Sequence, residues 1–99
     1  MKHMFINYCQ MSDEWAKATI EERKKFYDKT KESAKEHGLD LIFFGPPWGV
    51  IESATMVLTS EKSLDNYYNW RIAGAQLGLP AYIQASRTVI LLEAPFLME

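Results

Sequence analysis

Apolar and polar positions divide the chain into stretches of two different periods. Residues 4–11 (Met4-Phe5-Ile6-Asn7-Tyr8-Cys9-Gln10-Met11) are short, rich in apolar side chains and free of Gly and Pro, which predicts a strand. Ser12 and Asp13 can cap a short turn that carries Trp15. Thr19-Ile20-Glu21-Glu22 then forms a capping box: the threonine hydroxyl accepts from the backbone N–H three residues on, and Glu22 reaches back. A long helix is therefore expected from about Ile20 to His37, where Gly38 supplies the left-handed stop. Ile20, Tyr27 and Ala34 recur every seven residues and are expected to make its buried seam, with Lys24, Asp28, Lys31, Lys35 and Glu36 in water.

Leu39–Phe44 predicts a second strand, closed by Gly45-Pro46-Pro47-Trp48-Gly49, because consecutive prolines cannot donate ladder hydrogen bonds. Val50–Thr59 is expected as the third strand. Ser63-Leu64-Asp65 opens a second helix with Ser63 as cap and Asp65 in the first turn, and Gly74, Gly78 and Pro80 end it. Tyr82–Glu93, rich in Val, Ile and Thr, is the fourth strand, with Pro95 beyond it. Strand-helix-strand-strand-helix-strand is the ferredoxin-like βαββαβ layout, an α+β fold with two helices on one face of a four-stranded antiparallel sheet.

Alternation along the third and fourth strands places apolar side chains on both sheet faces, while the helices suffice for one. An uncovered apolar face of several hundred Å2 is unusual on a monomer. Burying it against a second copy gains about 25 cal/mol per Å2 of apolar area. A homodimer packed sheet against sheet is the expectation.

Composition narrows the function classes. Residues 1–99 read as a single domain, with 47% hydrophobic and 24% charged residues, an ordinary globular composition. Charges crowd into positions 13–40 with nearly balanced signs, which marks a solvated helix surface. The net charge of −2 offers no electrostatic footprint for nucleic acid or an anionic membrane, and no apolar run is long enough for a membrane span. Val50–Thr59 also lacks the Lys/Arg-Gly-aromatic signature of an RNA-binding third strand. One cysteine, Cys9, excludes an internal disulfide and suits a cytoplasmic location; with only His3 and His37 as histidines, no zinc spacing exists, so neither a metal nor a cofactor is expected.

Several segments together resemble the dimeric α+β barrel superfamily, in particular its small uncharacterised and monooxygenase-like members: Ser12-Asp13-Glu14-Trp15, Thr19-Ile20-Glu21-Glu22, Trp48-Gly49-Val50-Ile51-Glu52-Ser53 and Leu64-Asp65-Asn66-Tyr67-Tyr68. The resemblance implies a homodimer with a small-molecule ligand between the sheet and the helices of each subunit. The superfamily includes cofactor-independent quinone-forming monooxygenases, haem-degrading enzymes, isomerases, dehydratases and proteins without a known reaction, so the fold does not carry one function.

Asn66 and Trp70 are four apart on one helix face, and Arg87 is the one charge within the fourth strand before its terminal Glu93, between Ser86 and Thr88. This Asn-x-x-x-Trp pair with a strand arginine resembles the polar set of the quinone-forming monooxygenases. There, the resemblance implies, Asn66 and Trp70 orient a phenolic substrate and Arg87 stabilises its anion, with Asn7 at a carbonyl and Tyr68 against the ring. Tyr67 and Trp48 add aromatic surface for a flat, partly polar ligand. Glu52, read on a strand face with Ala54 and Met56, is either paired with Arg87 or a base with a raised pKa. Asn7 and Trp70 also resemble two residues of the haem-degrading enzymes, but residues 72–81 contain no histidine to serve as the axial ligand. Cys9, on a buried strand, is expected to be inert. The expected function is binding of a small aromatic or phenolic ligand by a homodimer; the alternatives are a cofactor-independent oxygenase and an assembly block for higher oligomers.

Overall fold

The computed structural model describes residues 2–76 and 82–98. Along the chain follow β1 (His3–Met11), α1 (Asp13–Lys17), α2 (Ile20–Glu36), β2 (Asp40–Gly45), β3 (Ala54–Ser60), α3 (Leu64–Gln76), β4 (Ile83–Leu92) and α4 (Pro95–Met98). The strands pair antiparallel in the order β2-β3-β1-β4. Each long helix returns the chain so that β2 runs in the direction of β1, and β4 in that of β3, with one strand between the members of each pair. This is the ferredoxin-like α+β arrangement expected above.

Local signals set the helix ends. Thr19 Oγ1 accepts from the Glu22 N–H at 3.1 Å, and the Glu22 carboxylate accepts from the Thr19 N–H at 3.0 Å, so both halves of the capping box form. At the other end Gly38 takes φ +75°, and the His37 ring donates from Nδ1 to the Ser33 carbonyl at 2.9 Å. The short α1 ends under Arg23, whose Nε and Nη2 donate to the Trp15 carbonyl oxygen.

The seam of α2 is only partly the one its seven-residue spacing predicts, since Ala34 is in the core and Tyr27 packs against it but Ile20 does not. Phe26, Thr30 and Ala34 are the buried residues, whereas Ile20 is 85% exposed. Ile20 belongs to the first turn, which overhangs the edge strand beside Ile42 and Phe43 rather than lying over the sheet. Thr30 tolerates burial because its hydroxyl donates to the Phe26 carbonyl at 2.7 Å.

β3 begins four residues later than the apolar run suggests. Gly45 opposite Thr55 is the last β2–β3 pair, and Pro46 and Pro47 have no N–H to extend it. Residues 46–53 therefore leave the sheet with Gly49 at φ +84°, although the Ser53 N–H still donates to the Cys9 carbonyl at 3.1 Å. Gly74, expected near the end of the second helix, lies inside α3; Gly78 and Pro80 fall outside the described residues.

The pleat sorts side chains between two faces. Phe5, Asn7, Cys9 and Met11 of β1 share the helix-covered face with Ala54, Met56 and Leu58 of β3, and the core is completed by Ala34, Leu39, Leu41, Tyr67 and Trp70. Phe5 is fully buried with its ring stacked on Tyr67, centroids 4.3 Å apart. A second cluster joins Trp15, Phe26 and Tyr82 edge to face at 5.3–5.4 Å. On the opposite face Phe43, Val57, Ile6 and Val89 form one apolar rung across all four strands, beside Thr59, Met4 and Leu91. Of these Phe43 is 54%, Val89 37% and Leu91 46% exposed.

Candidate functional site

The two faces carry two separate polar groups. On the helix side, Tyr67 and Arg71 are one turn apart on α3, about 6 Å along the axis. Ser86 and Thr88 are two residues apart on β4, about 6.6 Å. The near match lets α3, running against β4, make two contacts in step: the Tyr67 hydroxyl pairs with Thr88 Oγ1, and Arg71 Nη2 donates to Ser86 Oγ at 2.7 Å. Trp70 is buried next to them, its ring 5.7 Å from that of Tyr67.

Asn7 stands one strand further in, paired through the backbone with Thr88 on one side and Met56 on the other. It is 1% exposed, and its Oδ1 accepts no hydrogen bond from the described residues. A buried acceptor left empty costs about 1–3 kcal/mol. Asn7→Leu is accordingly expected to raise stability by about that amount in urea denaturation; a loss of stability would show that Oδ1 is satisfied in solution. Cys9, next on the same face, has its thiol pushed up to about 11 by burial, an effect that the charge of Arg71 partly opposes. It is a protonated core side chain at neutral pH, not a nucleophile.

Arg87 lies on the other face. Its Nε donates to Glu52 Oε1 at 2.9 Å, and its guanidinium sits 4.5 Å from the Tyr8 ring centroid. The hydrogen bond from Arg87 holds the Glu52 carboxyl below its ordinary range, against a smaller opposing effect of desolvation. Glu52 is therefore an ion-pair partner from the 46–53 loop, not a base on a strand face. Because its folded pKa is depressed, the pairing is complete above the ordinary carboxylate pKa and is lost as pH falls through the folded value. In Arg87→Gln the Glu52 side-chain midpoint, followed by carbon NMR, is expected to move up; an unchanged midpoint would exclude the pair in solution.

The expected set of Asn66, Trp70 and Arg87 is thus not assembled in the chain. Successive residues of a strand point to opposite faces, so Ser86 and Thr88, which meet α3, direct Arg87 away from it. Asn66 shares its helix face with Trp70 but belongs to the first turn, where its amide lies over Gly38: a Cβ at Gly38 would come within 2.6 Å of Asn66 Nδ2. Tyr68 is 65% exposed on the outer side of α3, and Trp48 is 95% exposed on the 46–53 loop, so neither reaches this cluster. Asn7, Tyr67 and Trp70 are brought together. The partners that the sequence reading missed, Arg71, Ser86 and Thr88, carry a faint signal in the Tyr67/Arg71 helical spacing and the Ser-x-Thr alternation around Arg87.

A shallow depression of about 580 Å3, open to solvent, lies beside the edge strand between Trp15, Tyr27, Ile42 and Phe44, with Arg23 and Lys24 at its rim. Among the described residues no group of three His, Cys, Asp or Glu converges on a metal position, and no helix is long and apolar enough to cross a membrane.

No family model matches the sequence, and no curated protein matches it. Solved structures do resemble the fold. A protein from Agrobacterium tumefaciens is 17% identical with a TM-score of 0.58, the match covering 97% of this chain and 96% of that one. An uncharacterized NIPSNAP domain protein from Burkholderia xenovorans is 13% identical, also with a TM-score of 0.58, covering 97% of both chains. At these identities the likeness establishes the α+β fold.

Proposed function

We propose that the chain is a cytoplasmic homodimer, packed sheet against sheet, that binds a small aromatic or phenolic ligand between α3 and the sheet of each subunit. The observation that carries the dimer is the apolar rung Phe43–Val57–Ile6–Val89, which spans the whole width of the sheet on the side away from α2 and α3. A stable interface buries about 800 Å2 per partner, an area suited to a four-stranded face. Ligand binding is supported by the buried Asn7 amide, whose Oδ1 has no hydrogen-bond partner among the described residues, on the sheet face that Tyr67 and Trp70 cover. An aromatic wall with a few fixed polar groups is the usual make-up of a small-molecule site.

Sedimentation equilibrium at low micromolar concentration is expected to return twice the 11.5 kDa chain mass. A folded particle of the single-chain mass would overturn the proposal. Assembly beyond the dimer is a second reading, favoured by Trp48 and Ile51, which are 95% and 94% exposed on the 46–53 loop. Such large apolar side chains are costly to leave in water; a mass above the dimer that falls in Trp48→Ser would support it.

A further inference from the structure

We infer that two copies of the chain meet through their 46–53 loops, each seating Trp48 in the depression that α1, α2 and β2 form on the other. The inference rests on the reading of assembly through this loop given above and adds the surface that receives it. The loop is anchored at both ends. Gly45 is tied into the sheet opposite Thr55, while the Ser53 N–H donates to the Cys9 carbonyl at 3.1 Å and Glu52 pairs with Arg87 at 2.9 Å. Pro46 and Pro47 stiffen the stretch between. Trp48 and Ile51 nonetheless stand almost fully in water. Trp48 lies only four residues beyond Phe44, which lines the depression, yet the chain does not fill its own depression with its own tryptophan.

The depression matches such a tip. Its floor is a preformed set of aromatic rings: Trp15 and Tyr27 pack on Phe44, with centroids 5.9 and 5.8 Å away. Ile20, Ile42 and Phe43 at its sides are exposed, so the receiving surface is apolar and uncovered as well. The charged residues lining it, Arg23 and Lys24, are both cations, and Arg23 already lies over the Trp15 ring at 5.1 Å from its centroid. Cations at the rim favour the electron-rich face of an indole. Loop and depression belong to the same strand, β2, so a two-fold axis beside it seats both tryptophans at once and closes the pair. Two tryptophans of about 150–250 Å2 each, with the surface they cover, bury about 600–1,000 Å2, below the range of stable dimers. The contact is therefore weak, forming at about 100 µM chain and above and leaving the low micromolar mass unchanged.

The contact is measured in full-length Val89→Lys, whose charge on the outer sheet face removes the sheet-to-sheet association proposed above. Sedimentation equilibrium from about 10 to 500 µM chain is expected to show the mass rising toward two chains. Trp48→Ser and Ile42→Glu, both at exposed positions, should each weaken this association by about tenfold or more. Leu64→Ser, at an exposed position of α3, should leave it unchanged, and circular dichroism checks the fold of each variant. A nitroxide attached through Ile51→Cys locates the seat; the buried Cys9 thiol, pushed up to about 11, does not take the label. Mixed with an isotope-enriched chain that carries no nitroxide, it should broaden that chain's Trp15 indole N–H and its Ile42 and Phe44 amides. If association needs Trp48 but Ile42→Glu has no effect and the broadening falls elsewhere, the depression is not the seat, and the assembly reading stands without it. If the mass stays at one chain throughout and nothing broadens, the inference and the assembly reading fall together.

Discussion

Val89→Lys is expected to convert the proposed dimer into folded single chains, weakening self-association by about a thousandfold. In the separate subunit Val89 is 37% exposed on an outer strand, so a lysine there can run its stem along the sheet and keep its ammonium in water. Pressed against a second sheet, the same charge loses its water and gains no partner, at a cost of about 3–5 kcal/mol. About 1.4 kcal/mol changes an equilibrium tenfold, so a penalty in that range removes the dimer at micromolar concentration. Sedimentation gives the mass, and circular dichroism shows whether the fold survives. Retention of a full-strength dimer would exclude this face as the contact.

Phe5→Ala is the substitution expected to damage the fold most. Phe5 is fully buried in β1, paired through the backbone with Leu58 and Ile90 and stacked on Tyr67. Truncating a buried phenylalanine costs about 3–5 kcal/mol, as transfer energy plus the cavity left behind. A small domain has about 5–15 kcal/mol in total, so the variant should unfold at a much lower urea concentration, with little change in the slope of the transition. Done in the Val89→Lys background, the measurement is free of coupling to association. A loss under about 1 kcal/mol would mean that α3 collapses onto the gap, and that the Tyr67 stack does not fix its position.

Most of the fold is legible in the sequence because its signals are local. The capping box at Thr19 and the glycine at position 38 act within a few residues of themselves, and both helix ends are where they predict. The start of β3 is not local: it depends on where β2 stops supplying partners, and Pro46-Pro47 decides that from the neighbouring strand. The place of Ile20 is illegible for a similar reason, since a seven-residue repeat cannot tell which turns lie over the sheet and which overhang its edge.

The candidate site divides in the same way. Asn7, Tyr67 and Trp70 fall together because each belongs to the apolar face of its own element. Arg87 stands out in the sequence as the lone charge inside an apolar strand, but strand parity, fixed by the contacts of Ser86 and Thr88, sends it to the opposite side. Arg71 does not stand out, since an arginine on a helix is ordinary until the strand beneath it is known.

The kink of β2 between Leu41 and Phe43 has a consequence for life at high concentration. An outermost strand with exposed Ile42 and Phe43 would otherwise be a template for stacking chains into fibres. The irregular register interrupts the row of free amides and carbonyls that such growth copies, while the charge of Asp40 guards one end and the two prolines after Gly45 guard the other. An exposed apolar sheet face can thus sit beside the β2 edge without that edge seeding amyloid.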